Sequence, residues 1–184
     1  ALIEAKDYYF KKTGVAYEED DDYEARMNAF NEWYLLQYIP RHDTRTAMKD
    51  YLLSHQVEES VRKAMLNVAH SLFEYVGETF RKNVVLKDLF HGKKVTLLRG
   101  HLLPAVLKND IFTGRVIFFE GMSYLLPGIC MLPKEVRSLL IKQHKKVKKL
   151  KDQNAELELL LQIEYFKSKW KRYGHLQAKK IFLF

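Results

Sequence analysis

The sequence predicts an α+β protein in which N-terminal helices precede a small antiparallel sheet or partly open barrel, and a long C-terminal helix follows. Three observations carry this. Apolar residues recur at helical intervals up to about residue 73; β-branched and aromatic runs punctuated by Gly, Asn and Asp fill 74–132; and a glycine-free helical pattern occupies 134–173. With 47% apolar residues in 184, the chain has enough material for a core of its own. It divides into an α+β body at 1–133 and a basic helix with an apolar C-terminal end at 134–184.

Residues 2–12 are helical, and Gly14 closes that helix. The acidic run at 18–24, EEDDDYE, leads into the next helix, with Asp21 or Asp22 as its N-cap. Five consecutive acids at 18–22 are a solvated helix start rather than a calcium loop, since the central glycine of such a loop is absent. From 23 to 39, Met27, Phe30, Trp33, Tyr34 and Tyr38 mark one buried helical face, and Pro40 ends it. The spacing favours core over an aromatic ligand box. Shorter helices follow at 44–53 and 57–73. The segments FEYVGETF, VVLKDLFHGKKVTLL, FTGRVIFF and EGMSYLLPGICMLP then read as short strands, with HGKK and NDIFTG supplying turns or bulges.

Beyond Pro133, a single helix of about forty residues would extend roughly 60 Å at 1.5 Å per residue. Val136, Leu140, Gln143, Val147, Leu150, Asn154, Leu157 and Leu161 alternate in steps of four and three, which is a heptad pattern. Three outcomes fit: self-association through Val147, Leu150, Asn154, Leu157 and Leu161, packing against the N-terminal helices of the same chain, or a break near Lys151 or Asn154 that makes a hairpin.

The positive charge is concentrated at this end. Residues 134–184 hold 14 Lys or Arg against 5 acids, whereas 1–133 hold 17 against 18. Lys142, Lys145, Lys146, Lys148, Lys149 and Lys151 succeed one another with no acid until Asp152, and Lys169, Lys171 and Arg172 flank Trp170. These are the candidate contacts for DNA or RNA. A homo-oligomer or protein partner is the leading expectation, so the chain reads as a non-enzymatic interaction or regulatory protein. Nucleic-acid binding is the alternative and an enzyme with a His/acid site the third reading.

No catalytic, cofactor or metal constellation is identifiable from spacing. His42, His55, His70, His91, His101, His144 and His175 are scattered, without HExxH, GxSxG, GxGxxG or GxxxxGK. His91 or His101 joining an acid such as Asp88 or Asp110 would raise the enzyme reading. Glu74 with Glu78, or Asp88 with Asp110, are possible carboxylate pairs whose separation the sequence does not fix. The single Cys130 excludes an internal disulfide and a multi-cysteine metal site, and reads as a small buried residue. No run is long enough for a membrane span and no secretory leader is visible, which points to the cytoplasm.

The stretches AFNEWYLLQY, SLFEYVGE, VVLKDLFHGKKVTL and NDIFTGRVIFFEG resemble the body found upstream of the metal-binding tail in poorly characterised bacterial SEC-C motif proteins. Trp33, Phe73, Asp88, Leu89, Gly92, Asp110 and Arg115 carry the resemblance. It implies a bacterial origin and an adaptor-like body. The cysteine-rich tail is missing, with the lysine-rich helix in its place, so no zinc is implied by the resemblance. Arg115 is expected to pair with Asp88 or Asp110.

Overall fold

The strand from Ile111 to Phe119 is buried on both faces along most of its length, because Ile111, Phe112 and Val116 alternate between two cores. It is β4 of six strands in a computed structural model that describes residues 2–98, 100 and 106–184. The others are β1 (Ala69–Glu78), β2 (Val84–Asp88), β3 (Lys94–Leu97), β5 (Met122–Leu125) and β6 (Cys130–Leu132). Antiparallel pairing runs β3, β2, β1, β4, β5, and a parallel rung from Leu97 to Ser123 joins β3 to β5, so the sheet closes into a small barrel. β6 extends the sheet beside the start of β4. Phe73, Leu86, Leu97, Phe112 and Val116 fill the barrel.

Among the described residues six α-helices cover it: α1 (Leu2–Thr13), α2 (Tyr23–Leu36), α3 (Ala47–Ser54), α4 (Glu59–Leu66), α5 (Arg137–Lys148) and α6 (Gln153–Arg172). The α+β class, the N-terminal helices and the barrel-like sheet are as the sequence predicts. The expected aromatic face of α2 is core: Phe30 and Trp33 pack with Tyr9 and Leu161, while Met27, Tyr34 and Tyr38 are partly buried against them. Gly14 does more than close α1. Its φ is +88°, and a Cβ there would stand 2.8 Å from Cβ of Ser168 on α6, so the close approach of the two helices requires glycine.

The predicted helix at 57–73 ends early. Asn67 terminates α4, and β1 begins at Ala69 because His70 to Glu74 pair with Arg115 to Ile111, burying Leu72 and Phe73. The C-terminal helix is not continuous either. Residues 149–152 break it, Lys151 takes a left-handed φ of +53°, and the Asp152 carboxylate accepts the Asn154 N–H at 2.9 Å to start α6. Folding back lets Leu159, Leu160 and Ile163 join Leu140, Leu72 and Ile111 in one core, which also takes in Ile181 and Phe182.

Several expected pairings are replaced. Asp22 sits at the N-cap of α2 without a side-chain capping bond. Instead Lys171 reaches back from α6 to Asp21, to Asp22 at 2.6 Å and to Asp20 at 3.7 Å, so the acidic run takes a lysine of its own chain. Arg115, fully buried, meets neither Asp88 nor Asp110: its Nε and Nη2 donate to Gln37 Oε1 at 2.9 and 2.7 Å and its Nη1 to Glu32 Oε2 at 3.3 Å. Glu32 also accepts the Gly128 N–H at 2.6 Å, where a Cβ would lie 2.5 Å from the backbone of Ala29. A buried ion pair thereby fixes α2 on the barrel. Asp110 pairs with Lys134 at 2.9 Å, and Glu74 receives both Nε and Nη2 of Arg137.

Candidate metal centre

The turn after β2 carries the first element of the site. Asp88 Oδ1 accepts the backbone N–H groups of Phe90 and His91, each at 3.0 Å, and the hydroxyl of Ser71 at 2.6 Å, which fixes the carboxylate at the end of the barrel. Its Oδ2 lies 2.9 Å from His91 Nδ1. An imidazole that donates Nδ1–H to a carboxylate offers its Nε2 lone pair outward. That Nε2 lies 2.8 Å from Glu156 Oε1 of α6, two electron-rich atoms whose close approach requires a proton or a metal ion between them.

The third side chain comes from α5. His144 occupies the turn after Leu140 on the core-facing side, and its ring lies flat on Phe90, with centroids 4.0 Å apart and planes within 1°. Its Nε2 stands 3.5 Å from the same Glu156 oxygen and has no hydrogen-bond partner although buried. The His144 side chain is 2% exposed, whereas those of His91 and Glu156 are 34% and 27% exposed, so the group opens to solvent on one side. Burial holds the His144 imidazole below its ordinary range; Glu156 opposes this, while His91 and Lys148 reinforce it. A neutral imidazole is the form that binds metal.

The donor atoms of His91, His144 and Glu156 lie within 4.8 Å of one another. A tetrahedral ion with bonds of about 2.0–2.1 Å needs donors about 3.3 Å apart, so the arrangement fits an ion after small side-chain shifts. Two imidazoles and a carboxylate suit zinc and its first-row neighbours, and the Asp88–His91 bond is the outer support such ligands have.

Residues 2–176 match the model described as "Family of unknown function (DUF7986)". The chain belongs to this family. No curated protein and no solved structure matches it. In this DUF7986 member the sequence identifies no metal set: it offers His91 with Asp88 only as one of several open His/acid combinations, and His144 and Glu156 sit among lysines and leucines with no motif spacing. The available signal was His144 at four residues from Leu140, a polar group on an apolar stripe. His101 lies outside the described residues.

The other candidates are dispersed. Lys142, Lys145, Lys146, Lys148, Lys149 and Lys151 are exposed on α5 and the following turn. Lys169 is exposed too, but Lys171 is bound to the acidic run, and Arg172 donates to the Val15 carbonyl and lies over Tyr17. Trp170 is half-buried, donates Nε1–H to the Leu176 carbonyl, packs against the core and has the Lys167 ammonium over its ring at 5.1 Å. Among the proposed self-association residues, Leu161 is 2% exposed and Leu157 is packed in the core shared with α1 and α2, Val147 packs beside α6, and Leu150 and Asn154 are exposed around the break. They do not form one unbroken seam. Cys130 packs at the edge of the core, and burial pushes its thiol up to about 12, far from a reactive thiolate.

Proposed function

We propose that this protein is a metal-binding protein of an interaction or regulatory kind, in which one divalent ion of the zinc class joins His91, His144 and Glu156. The observation that carries the reading is the buried, unpartnered Nε2 of His144, which faces the Glu156 carboxylate that His91 also meets. A buried nitrogen without a partner is costly, and an ion would satisfy it. Because the three donors come from the β2–β3 turn, α5 and α6, the ion would tie the helical hairpin to the barrel. Its binding free energy then adds to folding stability, and its loss loosens the hairpin and whatever partner surface it presents. The lone protonated Cys130 suits a cytoplasmic protein.

One observation favours a second reading. Three protein donors and a solvent-facing rim leave a coordination position for water, the arrangement of hydrolytic zinc sites.

The test is a zinc titration against a chromophoric chelator, followed by thermal unfolding. We expect one ion per chain, a higher melting temperature with zinc, and loss of both in His144→Ala and Glu156→Gln. Zinc that stabilises the protein without hydrolysing p-nitrophenyl esters or phosphates supports the first reading. Turnover that tracks zinc occupancy supports the second, and absence of stoichiometric binding overturns both.

A further inference from the structure

The helix α5 contains no acidic residue, and its inward face is fully used by Leu140, His144 and partly buried Val147. At 100° per residue, Lys142, Lys145, Lys146 and Lys149 fall between about 100° and 200° away from His144 around the helix, on the side turned from the barrel. All four are exposed, and among the described residues none of them has an acid or other polar partner. Some lysines elsewhere do have acidic partners: Lys12 with Glu158 at 2.7 Å, Lys134 with Asp110 at 2.9 Å, Lys171 with the acidic run.

Helix energetics does not account for the grouping. A negative helix C-terminus favours cations near the last turn, which covers Lys145, Lys146 and the capping Lys149 but not Lys142. The pairs Lys142/Lys146 and Lys145/Lys149 are four residues apart, and each like-charge pair destabilises the helix. An external anion removes that cost.

We propose that this face of α5 binds the phosphate backbone of nucleic acid. From Lys142 to Lys149 the helix rises about 10 Å, about three phosphate spacings of roughly 3.4 Å along one strand and so room for about four phosphates. Contact of this kind reads backbone charge rather than sequence. A lipid surface fits less well, since the apolar face of α5 is packed into the core and cannot enter a bilayer. The inference is independent of the metal centre, whose ligands point the other way.

The experiment is fluorescence anisotropy of the whole protein with a labelled DNA duplex and an RNA duplex of equal length over a salt series. It includes a variant carrying Lys142→Gln, Lys145→Gln, Lys146→Gln and Lys149→Gln. A control with the same charge change carries Lys49→Gln, Lys87→Gln, Lys179→Gln and Lys180→Gln. Circular dichroism checks that both fold. The proposal expects salt-dependent binding by the parent, a slope of log affinity against log salt flatter by up to about 3.6 in the α5 variant, and little change in the control. No binding at low salt overturns it, as does equal weakening in both variants. Association with phosphatidylserine vesicles in place of either duplex, lost in the α5 variant, overturns it too.

Discussion

At the scale of single residues, Asp88 and His70 show how one buried group sets the behaviour of its neighbours. Asp88 holds the tautomer of His91 through a 2.9 Å bond while its other oxygen is held by Ser71 and two backbone N–H groups. In Asp88→Asn, zinc affinity should fall by about 10–100-fold, because an amide no longer enforces Nδ1–H. A competition titration reads this, and an unchanged affinity would separate the turn from the ion. His70 differs: its Nδ1 faces Gln37 Nε2 at 3.2 Å, its Nε2 is buried without a partner, and burial, then the Arg115 charge, hold the imidazole well below its ordinary range. The unfolded chain therefore takes up a proton as pH falls below about 6.5 where the native state refuses it, so stability declines on acidification. With chelator present, the urea midpoint of the parent should drop between about pH 7 and pH 5, and His70→Gln should flatten that drop; the depressed His144 leaves a residual slope. Parallel profiles would contradict this. Neither role is legible in the sequence, since an isolated histidine gives no sign of what seals it.

At the scale of elements, the legible features are those encoded locally. Gly14 after α1, the aromatic stripe of α2 and the HGKK turn each follow from neighbours within a few residues. What escaped depends on distant partners. The strand at 69–73 looks helical until β4 pairs with it, and the hairpin break near Lys151 or Asn154 is one of three outcomes the sequence leaves open, because the heptad pattern is continuous on paper. Leu150 and Leu161 share that pattern but not its consequence, being 67% and 2% exposed. Leu161→Ala should cost about 2–5 kcal/mol by leaving a cavity beneath α1 and α2, and Leu150→Ala less than about 0.5. Urea unfolding of the two variants measures the difference. Equal, large losses would restore the heptad seam as a buried interface.

For the whole molecule, the charge asymmetry of the sequence has a structural meaning that composition did not reveal. Part of the basic C-terminal segment is folded onto the acidic run through Lys171, and the hairpin it forms brings His144 and Glu156 to His91 at the mouth of the barrel. The fold class was readable because hydrophobic period and turn residues specify elements. The centre was not, because its three donors come from separate elements and meet only after the barrel closes and the hairpin folds. The most direct measurement is a long-range nitrogen–proton NMR spectrum of the histidine rings, with and without one equivalent of zinc. The account predicts that Nε2 of His91 and His144 shift together while Nδ1 of His91 stays protonated, and that the rings of His42, His55 and His175 do not respond. Unmoved His91 and His144 signals, or a response confined to those other histidines, would contradict it.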